Sequence, residues 1–117
     1  ELSLDEIARE GARRMLEKAL NLEVEEYIAQ NKNEIDETGN RLVVRNGFGK
    51  SRKITTGAGT IEVAAPRVND QREGKKFSSF ILPPYLRKSP KVESLLPILY
   101  LKGLSTNNGH VPDLVEN

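Results

Sequence analysis

The residues of this sequence with the clearest chemical potential are arginines and lysines in the middle of the chain. Arg41, Arg45, Lys50, Arg52 and Lys53 crowd two short predicted strands, and further basic residues follow at Arg67, Arg72, Lys75 and Lys76. Guanidinium and ammonium groups contact DNA phosphates, and arginine also reads guanine edges. A basic sheet face of this kind favours nucleic-acid binding, and the alternative is ordinary solvated charge.

Other catalytic and ligand-binding patterns are missing or incomplete. The sequence has no cysteine, which excludes disulfides, thiolate nucleophiles and cysteine-ligated zinc. Its one histidine, His110, has no His or Cys partner with which to hold a metal ion. Gly49, Lys50 and Ser51 match the second half of a phosphate-binding loop motif. The full motif needs a glycine five positions before Gly49, and Val44 stands there instead. We therefore expect no cofactor and no small-molecule substrate for this chain.

Charge is segregated along the chain, although the formal net charge is only +1. Residues 1–40 carry five Lys and Arg against eleven Asp and Glu, a net charge of −6. Residues 41–102 carry thirteen against four, a net charge of +9, and residues 103–117 carry −2. The +9 block suggests a polyanionic partner. The alternative is that the acidic segment folds against the basic one and neutralises it.

Size and composition predict one domain. A chain of 117 residues and 13.1 kDa is long enough for a single core. No apolar run approaches the ~18 residues of a membrane span. No cationic stretch followed by an apolar one opens the sequence, as a signal peptide would require. We expect a cytoplasmic protein with no membrane partner.

Residues 4–30 predict a long amphipathic helix. Ser3 and Glu6 stand at the spacing of a capping box. Apolar and small residues recur every three or four positions, with a phase slip near residues 20–22, at Leu4, Ile7, Ala8, Gly11, Met15, Ala19, Val24, Tyr27 and Ile28. One stripe of this length needs a partner surface, either the sheet that follows or a second copy of the helix.

The region 41–68 predicts a small antiparallel β-meander. Strands are expected at 42–45, 50–56 and 60–65, with turns at Asn46-Gly47 and at residues 57–59. Pro66 is expected to end the pairing, since it donates no ladder hydrogen bond. Strand alternation is expected to turn Arg41, Val43 and Arg45 to one face while Leu42 and Val44 point into the core.

The rest of the chain predicts a proline-rich connection, a kinked helix at 90–102 and an irregular tail at 107–117. Ser89 and Pro90 are typical of a helix start, Gly103 of a helix end, and Pro97 of a kink. The predicted fold class is therefore α+β, with a long N-terminal helix on a small sheet and residues 1–106 forming a single domain.

Several spaced motifs resemble the N-terminal region of mutator-type bacterial insertion-sequence transposases. They are REGARRML at residues 9–16, RLVVRNGF at 41–48, TGAG at 56–59, VAAPRV at 63–68, FSSFILPPY at 77–85 and LYLKGLST at 99–106. The resemblance runs in unbroken order over about residues 9–106. It implies a module that binds the terminal inverted repeats of a transposable element in double-stranded DNA, during DNA transposition and recombination. When bound to DNA, such a protein would be associated with the nucleoid.

The resemblance also implies a catalytic domain that lies downstream of the matched region. In the family that domain has a ribonuclease-H-like fold whose Asp-Asp-Glu triad holds two magnesium ions for attack on a phosphodiester. No acid in this chain matches the triad, so we carry over no catalytic residue and expect this chain to be inactive alone. After Thr106 the run 107–112 departs from the family pattern, which suggests a shortened or frameshifted transposase.

The DNA-contacting residues that we predict are Arg45, Lys50, Arg52, Lys53 and Arg67, with Lys75 and Lys76 as further candidates. Asn69 stands where many relatives carry an additional arginine, so one phosphate contact of the family is expected to be missing. The competing hypothesis is an assembly module, in which the stripe of helix 4–30 pairs with its copy in a homodimer. The two roles are compatible in one protein.

Overall fold

The computed structural model describes residues 3–84. This part of the chain contains one long helix followed by four strands in two small antiparallel sheets. The predicted α+β class is confirmed at that level. The kinked helix at 90–102 and the tail at 107–117 lie outside the described residues, as does the end of the proline-rich connection.

Helix α1 (Leu4–Gln30) has the predicted bounds, and local signals explain both of its ends. The Ser3 hydroxyl accepts a hydrogen bond from the Glu6 backbone N–H at 3.1 Å, and the Ser3 N–H donates to Glu6 Oε1 at 2.9 Å. This capping box satisfies two donors that the first turn would otherwise leave unpaired. At the other end, the Asn31 N–H donates to the Ile28 carbonyl at 3.1 Å.

The four strands pair in a nested order, with the second and third strands paired between the first and the fourth. They are β1 (Val43–Phe48), β2 (Arg52–Thr56), β3 (Gly59–Val63) and β4 (Pro66–Asp70). Strands β2 and β3 form a hairpin, and β4 returns to pair antiparallel with β1. The predicted meander is therefore wrong, because β1 and β2 do not pair with each other.

The misassigned turn has a local physical reason. Asn46 and Gly47 lie inside β1, at the point where its register with β4 becomes irregular. Gly47 has φ of +63°, which a β-bulge and a tight hairpin turn both exploit. Pro66 begins β4 instead of ending the pairing, and the first position of a strand tolerates proline.

The main core joins one face of α1 to the β2–β3 hairpin. From the helix it takes Ala12, Leu16 and Leu20, and from the rest of the chain Ile54, Ile61, Val63 and Leu82. Leu16 and Ile54 are completely buried, and burial of such side chains contributes roughly 1.5–3 kcal/mol each. Because Leu82 joins this core, the segment after β4 returns to the body of the domain.

The first turns of α1 do not join the core. Leu4 is 83% exposed and Ile7 is 53% exposed, whereas burial along the helix begins at Ala12. The predicted single stripe therefore divides into two parts. Met15 and Ala19 pack inside the domain, and the residues before Ala12 leave an uncovered apolar surface.

The predicted orientation of β1 is reversed at its first position. Val43 is fully buried, although it was expected on the outer face, while Leu42 and Val44 are only half-buried. Arg45 shares the face of Val43, as alternation requires, and that face is turned toward α1. The alternation itself is as predicted, but the pattern of two valines with flanking arginines does not say which face meets the helix.

Candidate nucleic-acid interface

Arg52 and Lys53 are adjacent in sequence but serve different faces of the β2–β3 hairpin. Arg52 lies two residues before the buried Ile54, so the two side chains share a face and Arg52 is half-buried. Lys53 lies on the other face and is exposed. The Arg52 Nη2 donates a hydrogen bond to the Pro83 carbonyl at 3.0 Å. This bond from Arg52 therefore holds the segment after β4 against the β2–β3 hairpin.

Lys53 lies on the outer face of the hairpin, directly opposite Glu62. Oppositely charged side chains in such a cross-strand pair attract each other. Glu62 also accepts a hydrogen bond from the Ser51 hydroxyl at 3.2 Å. Any anion approaching Lys53 therefore meets a neighbouring carboxylate, which lowers the local positive potential.

The end of β1 and the start of β4 form an exposed basic surface, which we call the β1–β4 tip (Asn46, Phe48, Gly49, Lys50 and Arg67). The Arg67 Nε donates to the Asn46 carbonyl at 3.2 Å, and the Gly49 N–H donates to the Ala65 carbonyl at 2.9 Å. A Cβ added at Gly49 would lie 3.8 Å from Arg67 Cδ. The Gly49 backbone, and with it the start of Lys50, therefore lies next to the Arg67 side chain.

The tip combines exposed positive charge with an exposed aromatic ring. Lys50 and Arg67 are both exposed, and Phe48 keeps 56% of its surface accessible. Phe48 pairs in register with the buried Pro66, so its backbone is fixed by the β1–β4 ladder. Of the predicted contact residues, Lys50 and Arg67 are the pair that the structure brings together on one exposed surface.

Arg45 is exposed but is tied to the helix. Its Nη2 donates a hydrogen bond to Asn21 Oδ1 at 2.6 Å. Together with Arg41 it lines a groove between β1 and the C-terminal half of α1. Arg45 lies in the middle of β1, one residue before Asn46 of the β1–β4 tip, and its bond to Asn21 holds its guanidinium on the α1 side of the strand.

Lys75 and Lys76 lie exposed on a loop that is anchored on both sides. Before them, Arg72 donates to Asp70 Oδ1 at 2.9 Å and to Oδ2 at 2.8 Å. After them, Glu23 of α1 accepts hydrogen bonds from the Ser79 hydroxyl at 2.6 Å and from the Phe80 N–H at 2.7 Å. The two lysines therefore extend from a loop with fixed ends.

Arg72 is the centre of a polar network that the sequence analysis missed. Its Nη1 donates to Asn31 Oδ1 at 2.8 Å and its Nη2 donates to the Tyr27 hydroxyl at 3.2 Å. The hydrogen bonds from Arg72 hold the pKa of Asp70 well below its usual range, and the Tyr27 hydroxyl adds to this effect. No spacing in the sequence pairs Tyr27 or Asn31 with residues about 40 positions later.

The ion pairs bear on the hypothesis of internal neutralisation. Within residues 3–84 they join Arg13 to Glu10 and Glu17, Arg14 to Glu10, and Arg72 to Asp70. Each of these pairs lies within one charge segment. Where Arg45 and Arg72 reach α1, they bond to neutral Asn and Tyr groups. In this part of the chain the acidic helix does not neutralise the basic segment through direct ion pairs.

The described residues do not fit a magnesium-dependent catalytic centre. No group of three or more potential His, Cys, Asp or Glu ligands comes together within residues 3–84. We therefore assign no catalytic step to them. The helix of the described part is also not long and apolar enough to cross a membrane.

Comparison with known proteins gives a family but no individual relative. Neither the search of curated proteins nor the search of solved structures found a match. The family model for transposases of the mutator family matches residues 1–117, in agreement with the resemblance that the sequence motifs indicate. The chain therefore belongs to the mutator family of transposases.

Proposed function

We propose that this chain is the DNA-binding N-terminal module of a bacterial mutator transposase and recognises the terminal inverted repeats of its element. Family membership supports a role in transposition. The observation that carries the DNA-binding role is the β1–β4 tip, where Lys50 and Arg67 lie exposed beside an exposed Phe48. Positive charge interleaved with an aromatic ring is typical of nucleic-acid contacts.

The two basic side chains of the tip suit different contacts. Arg67 is partly oriented by the bond from its Nε to Asn46, which leaves its Nη groups for a phosphate or a guanine edge. Lys50 is a flexible point charge and suits a phosphate. Lys53, Lys75 and Lys76 supply further phosphate contacts, and Arg45 and Arg52 support the surface through their bonds to Asn21 and Pro83.

The test is fluorescence-anisotropy binding of the full chain to a labelled duplex with a single inverted repeat and to a scrambled duplex, over a salt series. We expect the repeat to bind at least tenfold tighter, about 1.4 kcal/mol. Arg67→Ala should lower the log–log salt slope by about one, as expected for one lost phosphate contact. Lys32→Ala is the matched control, because it also removes one exposed positive charge, in the turn that directly follows α1.

Two results would contradict the proposal. Equal binding to repeat and scrambled duplexes would mean that the basic segment binds polyanions without recognition. Equal losses for Arg67→Ala and Lys32→Ala would mean that the tip has no special role, since both variants remove one positive charge.

A second candidate function is assembly of transposase subunits. The observation that favours it is the uncovered apolar surface at the start of α1, where Leu4 and Ile7 are exposed. Gly11 continues this surface, and a Cβ added there would meet no atom within 4 Å. Apolar surface at the end of a helix is commonly covered by a partner. Sedimentation of the full chain tests this function, and a monomer at all concentrations would contradict it.

A further inference from the structure

We propose that two copies of this chain pack their α1 helices antiparallel, so that the first turns of each helix enter a basic groove on the other copy. This inference rests on the assembly role proposed above and does not depend on DNA binding. It names the surface that receives the N-terminal turns and the relative direction of the two helices. Both surfaces belong to the described part of the chain.

The inserted surface is apolar and acidic. Leu4 and Ile7 are 83% and 53% exposed, and Asp5 and Glu6 lie beside them in the first turn. Glu6 is engaged with Ser3 in the capping box, while Asp5 is exposed. A second copy that covers Leu4 and Ile7 therefore also meets at least one accessible carboxylate.

The receiving surface is apolar and basic. A groove of about 460 Å³ lies between β1 and the C-terminal half of α1. Its apolar lining residues are Ile28 and Ala29 of α1 and Val43 and Val44 of β1. Its charged members are Lys32, Arg41 and Arg45 against Glu25, a net charge of +2. The groove thus complements the inserted turns in both polarity and charge.

One face of α1 carries both surfaces. Leu4, Ile7, Gly11, Leu22 and Ala29 are separated by three or four residues or by multiples of that spacing, so they share a face. None of them belongs to the buried core, and Leu22 is 44% exposed. The helix spans ~40 Å, and the exposed residues of this face lie toward its two ends, because the buried Met15 and the charged Lys18 stand between Gly11 and Leu22.

Antiparallel packing is the arrangement that satisfies both ends at once. A two-fold axis near the middle of the helix places the acidic turns of each copy in the basic groove of the other, and the interface is then closed and self-complementary. Parallel packing would place acidic turns beside acidic turns and basic grooves beside basic grooves. Unlike charges across an interface fix register and suppress the wrong pairing.

Disulfide cross-linking can test the direction, because the sequence has no cysteine of its own. Full-length Ile7→Cys and Ala29→Cys proteins would be oxidised separately and as a mixture. We expect a covalent product of twice the chain mass in the mixture, at several times the yield of either protein alone. Preferential Ile7-to-Ile7 linkage would instead show parallel helices and would overturn the proposal.

Charge reversal tests the groove without cysteines. Asp5→Lys should raise the dimer dissociation constant at least tenfold in sedimentation velocity, and adding Arg41→Glu in the same chain should restore association. Glu26→Lys, an exposed acid of α1 outside the groove, is the control and should leave the dimer intact. A wild-type monomer, an unaffected Asp5→Lys variant, or the absence of rescue would each overturn the proposal.

The DNA-binding proposal is judged separately on the same samples. Anisotropy with a duplex carrying a single repeat reports binding by one copy. If that binding is retained while the wild-type chain is monomeric, the assembly inference fails and the DNA-binding function stands. If the dimer forms but the repeat duplex is not preferred over the scrambled one, the assembly inference stands and the DNA-binding function fails.

Discussion

The Tyr27 hydroxyl donates a 2.6 Å hydrogen bond to Oδ2 of Asp70, a residue 43 positions further along the chain. The bond joins the last turns of α1 to the end of β4, and Asp70 is paired in register with the buried Val43. Phe77 packs its ring edge-on to Tyr27 with the ring centres 4.9 Å apart. This contact therefore holds the helix, the β1–β4 sheet and the loop after it in one arrangement.

Removal of the Tyr27 hydroxyl should destabilise the domain. Tyr27→Phe keeps the ring contact with Phe77 but leaves Asp70 without one of its donors, and we expect a loss of about 1 kcal/mol in the free energy of unfolding. Urea titration followed by circular dichroism gives this value. Glu26→Gln, at the neighbouring exposed position, should change the stability by less than about 0.5 kcal/mol. Equal effects of the two substitutions would argue against the contact.

Acid should destabilise the domain through Asp70 and Glu10. Hydrogen bonds from Arg72 lower the pKa of Asp70, and those from Arg13 and Arg14 lower the pKa of Glu10 to about 2. A carboxyl whose pKa is lower in the folded state stabilises that state above its unfolded pKa of about 4. The stabilisation is lost as the pH falls through the folded pKa.

We therefore expect the free energy of unfolding to be steady between pH 7 and 5 and to fall between pH 4 and 2. Urea titrations at intervals across this range would measure it. Asp70→Asn should be less stable than the wild type at pH 7 and should show a shallower fall in acid. An equally steep fall in the Asp70→Asn and Glu10→Gln variants would contradict these assignments.

Local signals predicted the helix well because they act within one turn. Ser3 and Glu6 mark its start by hydrogen bonds between near neighbours, and the structure begins the helix at the predicted residue. The strand pairing was not predictable in the same way. Gly47 supplies a positive φ, which fits either a turn between β1 and β2 or a bulge within β1. Only pairing with β4, about 20 residues later, decides between them.

The candidate site was predictable in composition but not in arrangement. The strand period correctly indicates that Arg52 and Lys53 point in opposite directions, yet it does not say which one meets the core. That choice depends on Ile54, which packs against α1 and turns Arg52 inward with it. The role of Arg72 was hidden for another reason. Its partners Tyr27 and Asn31 are brought to it by the packing of the helix on the sheet.

Arg52 and Lys53 should therefore differ when each is replaced by alanine. Arg52→Ala removes the bond to the Pro83 carbonyl and should lower the free energy of unfolding by about 1 kcal/mol. Lys53→Ala should leave stability within about 0.5 kcal/mol of the wild type while reducing the salt dependence of DNA binding. Thermal unfolding and anisotropy on the two variants separate these effects. Equal destabilisation by both would show that the difference in burial has no energetic consequence.

Two glycines should respond to alanine in opposite directions. Gly59 has φ of +116°, and a Cβ there would lie 2.9 Å from Arg9 Cδ, so Gly59→Ala combines backbone strain with a clash. We expect it to cost about 1–3 kcal/mol of stability. Gly11 lies in α1 with open space around it, and Gly11→Ala should stabilise the helix by about 1 kcal/mol. Denaturant midpoints of the two variants on opposite sides of the wild type would confirm this contrast.

Replacement of Asn69 by arginine should strengthen DNA binding. Asn69 is exposed on β4, two residues after Arg67, so strand alternation places both side chains on the same outer face. Asn69→Arg would add a cation beside the β1–β4 tip without disturbing a described hydrogen bond of residues 3–84. One more phosphate contact should steepen the log–log salt slope by about 0.9 and raise affinity at low salt. Asn69→Gln is the neutral control of similar length. If Asn69→Arg gains nothing over Asn69→Gln, the DNA does not pass over this face of β4, and the contact surface must be sought among Lys53, Lys75 and Lys76.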